Sequence, residues 1–240
     1  MANSYLVENC PSWFSVRTSS SLILTGTAHV LGTLWEVTGV ELSILGFSTL
    51  TVRETTPGTK FPARCPERHV QCDQAFCLGL HNLEVTSDET AKQWWEQLRQ
   101  YLCCQSVAER TGIWPPSHAL DHGEAGKWHE RALIVSRELN IEEEYAAAYL
   151  GEPSWITDPC LRLFDKKGNP INGRAPCPRG CRHTGRRKWP VVRRDCKDRA
   201  LILELVSCER KRKIDLEKYW QDARAKGEAW CGRMKTCGLR

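Results

Sequence analysis

Between Ser21 and Val52 the chain alternates short apolar and β-branched runs with single glycines: Ser21 to Thr27, Val30 to Val37 and Leu42 to Val52, broken at Gly26, Gly32, Gly39 and Gly46. Runs of Val, Ile, Leu, Thr and Trp of this length, punctuated in this way, predict the strands of a small antiparallel sheet or meander. Pro57, Gly58, Pro62 and Pro66 then predict a loop or linker from Arg53 to Cys77. Thr86-Ser87-Asp88-Glu89 supplies helix-capping residues ahead of Ala91, Trp94, Trp95, Leu98, Leu102 and Cys103, which recur at helical spacing. A helix from about Asp88 to Ala108 follows, packed on the sheet by its tryptophans. Trp94 and Trp95 are adjacent, so only one of them is expected to point squarely at that face.

Trp114-Pro115-Pro116-Ser117 interrupts the pattern and marks the expected domain boundary, giving a sheet-plus-helix domain at 1–113 and a second domain at 114–240. Beyond it, Gly126 to Arg137 and Ile141 to Leu150 predict two helices with Asn140 at their junction. Glu142, Glu143 and Glu144 fall in the first turn of the second, where the helix dipole favours them. From Ser154 to Val192 periodicity disappears; Ala200 to Val206 is a compact apolar run, strand or helical turn, and Ile214 to Lys226 predicts a polar helix. The fold class is α+β: a small N-terminal antiparallel sheet with a helix, then a helical segment and an irregular, cysteine-rich, basic C-terminal unit.

Composition sharpens this picture. With 240 residues, 41% of them hydrophobic and 26% charged, the chain buries a core and is not a disordered tail. Residues 1–120 hold 8 Lys and Arg against 11 Asp and Glu, whereas residues 161–240 hold 23 against 9, so the net charge of +5 hides a strongly basic C-terminal third. Arg174 to Lys213 alone carries 14 basic and 4 acidic side chains, a density that attracts a polyanion through counterion release. The N-terminus has no basic flank leading into an apolar run, which argues against a secretory signal. The stretch free of Lys and Arg, Thr18 to Val52, is interrupted by His29, Glu36 and Glu41, leaving pieces shorter than the roughly 20 residues of a membrane-spanning helix. No membrane partner is expected. The 13 cysteines are an odd count and, without an export signal, point to free thiols or metal ligands rather than a disulfide framework.

Two groups of candidate metal ligands emerge. Cys177-Pro-Arg-Gly-Cys181-Arg-His183, flanked by Cys160, Cys196 and Cys208, offers soft ligands from a short turn and from distant segments, as a tetrahedral zinc site requires, although the spacing is Cys-x3-Cys. Cys65, His69, Cys72, Cys77 and His81 form a second group, in a proline-rich loop that a metal would staple. Cys103 and Cys104 lie inside the expected helix and read as core. His118-Ala-Leu-Asp-His122 with His129 lacks the glutamate a zinc protease needs after its first histidine, so these histidines read as surface or loop residues. Nucleophile elbow, phosphate-binding loop, dinucleotide fingerprint and deaminase signature are all missing from the sequence, which points away from an enzyme.

The basic residues have an order suited to nucleic acid. Arg182, Arg186, Arg187, Lys188, Arg193, Arg194 and Lys197 surround Trp189, interleaving cations for phosphates with an aromatic ring that can stack on a base. Arg210, Lys211, Arg212 and Lys213 form a compact basic run that reads as a nuclear import signal. From Ala132 onward, Ile134-Val135-Ser136, Trp155, Asp158-Pro159, Lys167, Pro170 and Gly173, followed by apolar Leu201 to Val206 and a cysteine with basic residues, resemble the transactivator (Tas or Bel) proteins of foamy viruses. That resemblance implies a viral regulator in the host nucleus, also passing through the cytoplasm, that binds promoter DNA and activates transcription. The chain departs from that family at Trp230 to Arg240, where an acidic activation segment would stand. The expectation is a zinc-stabilised module binding DNA, with RNA as the other nucleic acid; the competing expectation is a non-enzymatic adaptor that captures a host protein.

Overall fold

The computed structural model describes residues 2–32, 35–79, 83–157, 196–228 and 230–240. They divide into two compact units, one made of Met1–Ala119 with Ala223–Arg240, the other of Leu120–Asp222. The architecture is α+β.

In the first unit, helix α1 (Ala2–Glu8) precedes four strands, β1 (Phe14–Ser19), β2 (Ile23–Val30), β3 (Val37–Gly46) and β4 (Leu50–Glu54), joined as an antiparallel meander in the order β1-β2-β3-β4. Leu24 pairs with Ile44 and Ile44 with Val52, so one face carries a row of buried aliphatics while the other carries Thr18, Thr25, Ser43 and Thr51. Period-two alternation of this kind lets one side of a sheet form a core and the other meet water. Gly26 is required where it stands: a Cβ there would lie 2.4 Å from the Ser15 carbonyl oxygen and 2.6 Å from the Phe14 ring. The connection after β2 corrects the expected strand Val30 to Val37, because Gly32 turns the chain with φ +75°.

Helix α2 (Asp88–Thr111) starts at a capping box in which Ser87 and Thr90 bond each other's backbone N–H groups, and stops at Gly112 in the left-handed region. Both of its tryptophans are buried, against the expectation that only one would face the core. The helix packs against both the sheet and α1: Trp95 meets Trp13 and Phe14 and donates its indole N–H to the Leu6 carbonyl at 3.1 Å. A helix covered on two sides can bury adjacent positions.

The second unit is built from α3 (Ala125–Leu139), α4 (Glu142–Tyr149) and the greater part of α5 (Arg199–Ala225). Ala132, Val135, Leu139, Tyr145, Ile156, Ile202, Leu205 and Val206 make its core. Asn140 ends α3 at φ 54° and turns the chain into α4, whose first turn carries the three expected glutamates. Ala200 to Val206 and Ile214 to Lys226, read as separate elements, belong to one continuous α5. The basic run between them is part of that helix: Lys211 and Lys213 are exposed, but Arg212 is buried. No described helix is long and apolar enough to cross a membrane.

Candidate functional site: a thiol-bearing hairpin held by the long helix

The proline-rich loop after β4 is ordered by one buried carboxylate. Glu54 accepts N–H bonds from Gly58, Lys60 and Phe61 at 3.2, 2.8 and 3.2 Å, so the loop's donors are satisfied without regular structure. A 3-10 turn, Pro66–Arg68, follows, with His69 left-handed at φ 55°. Cys65 and Val70 exchange backbone bonds of 3.1 and 3.0 Å across this turn, and Val70 bridges to Phe76. Phe76 donates to the Val52 carbonyl at 2.8 Å, extending the edge of β4, and Cys77 donates to the His69 carbonyl at 2.8 Å. The segment expected as a loop is therefore a tight double turn fixed to the sheet.

Helix α2 supplies the other wall. Tyr101, Gln105 and Glu109 recur every fourth residue on one of its faces, and all three act on the turn. Arg68 is fully buried; its guanidinium donates to Gln105 Oε1 at 2.8 Å, to the Gln105 carbonyl at 3.2 Å and to Glu109 at 2.6 Å. Gln105 Nε2 returns a bond to the Arg68 carbonyl at 2.7 Å, and Tyr101 donates to the Arg68 and His69 carbonyls. Phe76 stacks on Tyr101 with ring centroids 4.7 Å apart, and the His69 ring lies 4.7 Å from that of Trp114.

The cysteines of this region serve different surroundings. Cys72 is exposed at the hairpin tip; Cys77 is half-buried, its Sγ 3.7 Å from the Gly79 carbonyl; Cys65 is buried with its Sγ 3.1 Å from that of Cys231. Burial pushes the Cys77 thiol up from its ordinary value, opposed by the Gly79 backbone and the Gln71 side chain. Cys104, on the buried face of α2, is pushed up to about 12 by burial and by the neighbouring Cys103. The group Cys65, His69, Cys72 and Cys77 thus shares a hairpin without sharing a centre, and His81 lies outside the described residues. Among the described residues no three His, Cys, Asp or Glu side chains are gathered to hold a metal ion.

Of the second candidate group, Cys160, Cys177, Cys181 and His183 lie outside the described residues, as do Arg182, Arg186, Arg187, Lys188, Trp189, Arg193 and Arg194. Cys196 is half-buried against the core of the second unit and Lys197 is exposed. Arg212, counted in the basic run, is committed inside the same unit: it bonds Glu209 through Nε and Nη2 at 2.7 and 2.8 Å and also pairs with buried Asp121. Lys211 lies over the Trp128 ring at 4.2 Å. His129, expected at the surface, is instead buried and stacked on Tyr149 at 4.4 Å, and desolvation lowers its pKa to about 4.

Residues 13–116 match the family model of the prokaryotic E2 domain, and residues 121–239 match that of a cysteine-rich domain C-terminal to an E2 domain. No curated protein matches the chain, and no solved structure matches it. The E2 match spans the meander, the Arg68 turn, Cys77 and α2; the cysteine-rich match takes in the segment that carries the foamy-virus resemblance and all of the basic residues proposed for nucleic acid.

Proposed function

We propose that the N-terminal E2 domain is a carrier in a conjugation reaction, holding an acyl group, such as the C-terminus of a small protein modifier, as a thioester on Cys77 and passing it to an acceptor nucleophile. The observation that carries the reading is the placement of Cys77 within the matched domain: its backbone is clamped to His69 while the residue stays partly exposed. A carrier of this kind needs no histidine–carboxylate pair of its own. Thioester exchange replaces one thioester with another, and what the protein must supply is a fixed thiol sheltered from water. A thiol raised by burial is protonated at neutral pH, so it attacks only when a base takes its proton, and acylation is expected to accelerate as pH rises toward the thiol's pKa.

The test is intact-mass spectrometry of the purified chain incubated with a short peptide ending in a Gly-Gly thioester. One acyl group removable by thiol is expected on Cys77, and Cys77→Ser should give either no adduct or a thiol-resistant ester. Labelling that persists unchanged in Cys77→Ser, for example on exposed Cys72, overturns the assignment.

A second reading is favoured by charge. The 14 basic side chains between Arg174 and Lys213 support a regulatory, nucleic-acid-binding cysteine-rich domain in which Cys160, Cys177, Cys181, His183 and Cys196 hold zinc and Arg182, Arg186, Arg187, Lys188, Trp189, Arg193, Arg194 and Lys197 contact DNA or RNA. Nuclear transcriptional activation belongs to this reading, whereas a host-protein adaptor is its competitor, with a stable protein partner and negligible nucleic-acid affinity. Duplex binding across a salt series, before and after chelation, tests it: a steep salt slope abolished by chelation supports the reading, and no binding above about 0.15 M salt removes it.

A further inference from the structure

The C-terminal segment of the first unit lies as a strap across the turn that leads to Cys77. Glu228 pairs with Arg64 at 2.5 Å, Thr236 Oγ1 donates to Glu67 at 2.5 Å, Arg233 pairs with Glu109, and the Lys235 N–H donates to the Gly112 carbonyl at 2.7 Å. Gly112 is needed for this fit, because a Cβ there would stand 2.9 Å from the Arg233 carbonyl oxygen. Met234 and Cys237 of the strap are themselves buried. At its centre Cys231 Sγ meets Cys65 Sγ at 3.1 Å, about 1 Å more than the roughly 2.05 Å of a disulfide bond.

We propose that Cys65 and Cys231 are a redox pair whose disulfide, formed by exchange with a low-molecular-weight disulfide such as oxidised glutathione, locks the strap onto the turn. The inference stands independently of any acyl chemistry at Cys77. Both thiols are free in the structure, and residues 166 positions apart in sequence are placed sulfur to sulfur by contacts on either side. Cys231 is half-exposed and Cys65 has no exposed surface, which fixes the order of events. The Cys231 thiolate attacks one sulfur of the glutathione disulfide, breaking its S–S bond and releasing one glutathione thiolate. The Cys65 thiolate then attacks Cys231 Sγ, forming the Sγ–Sγ bond and releasing the second glutathione. Two protein thiols are oxidised, one disulfide is reduced to two thiols, and the two protein protons end on the two glutathiones. Burial, together with the hydrogen bond and charge of Cys231, holds the Cys65 thiol high, so the second step is the slow one and is sped by raising pH.

The experiment uses the full chain, equilibrated with oxidised glutathione, alkylated, digested without reductant and mapped by mass spectrometry. A peptide linking Cys65 to Cys231 is expected, reversed by dithiothreitol, and lost in Cys231→Ser but kept in Cys237→Ser. Oxidation should slow limited proteolysis at the strap by about tenfold or more, since local opening is the route to cleavage. Because oxidised and reduced wild type are compared directly, misfolding of a variant cannot decide the outcome. The proposal fails if the link joins Cys237 instead, if Cys65 stays alkylatable while exposed Cys72 is oxidised, or if the chain as purified holds stoichiometric zinc that is lost on Cys231→Ser.

Discussion

Replacing Arg68 by alanine removes a buried cation that joins the Cys77 turn to α2, and the structure allows its cost to be worked out. Stripping one partner from a fully buried ion pair costs about 3–5 kcal/mol because the other charge is stranded. Glu109, however, is 39% exposed and keeps Arg233, so its carboxylate rehydrates and that end is worth only about 0–1 kcal/mol. The larger loss is at Gln105: its side-chain oxygen loses its donor inside the core, at about 1–3 kcal/mol for an unsatisfied group, while its main-chain oxygen, inside α2, gives up only a second bond. With the space left beside Phe61, 5.8 Å from the guanidinium, a destabilisation of about 3 kcal/mol follows, or roughly 6–12 °C in melting temperature. Arg68→Lys should lose a smaller part, since an ammonium keeps the charge but cannot fork to both Gln105 oxygens and Glu109. Urea unfolding followed by tryptophan fluorescence gives the value, and a cycle with Gln105→Ala should return a coupling of about 1–2 kcal/mol. A loss under about 1 kcal/mol for Arg68→Ala, with unchanged urea dependence, would refute the claim that this residue holds the turn.

Two further outcomes follow from buried groups. His129 is neutral in the folded state, with a pKa lowered to about 4, chiefly by desolvation, whereas the unfolded chain binds its proton near pH 6.5. Between those values the unfolded state holds more protons, so stability present above about pH 6.5 is lost as pH falls toward 4, by about 3 kcal/mol; equilibrium unfolding from pH 7 to 4 should show the slope, and His129→Leu should flatten it. Gly26→Ala drives a methyl into the Ser15 carbonyl and the Phe14 ring and should cost about 2–3 kcal/mol in a thermal melt, where no shift would mean that β1 can move aside freely.

The sequence pattern located the sheet, the capped helix and the helix pair because each buries one face, and burial of one face is what periodicity records. It missed β1, where only Phe14 is buried and the other positions of an edge strand face solvent, leaving no alternation to read. It divided α5 at Glu209–Lys213, where a polar run looked like a solvated break. Arg212 pairs in the interior with Glu209, one helical turn away, and with Asp121, and charge that pairs in three dimensions is indistinguishable from charge that meets water along a sequence. Cys77 stood out in the sequence only as one of five closely spaced Cys and His residues at the end of a proline-rich segment between a meander and a capped helix, a spacing that reads as a metal site. The facing of Cys65 and Cys231 had no local signal at all.

The return of residues 223–240 to the first unit gives the chain an order of completion that differs from its order of synthesis. As the polypeptide emerges, the meander and α2 are available early, but the unit they belong to stays open until all of Leu120–Asp222 has been made and the strap arrives behind it. For that interval the Arg64–Arg68 turn lacks Glu228 and Thr236, Glu109 on α2 lacks Arg233, and Cys65 is uncovered. A nascent chain paused within the second unit is therefore a distinct species, folded in its sheet yet unlatched at its thiol-bearing turn, and exposed to pairing through that thiol with whatever disulfide it meets first.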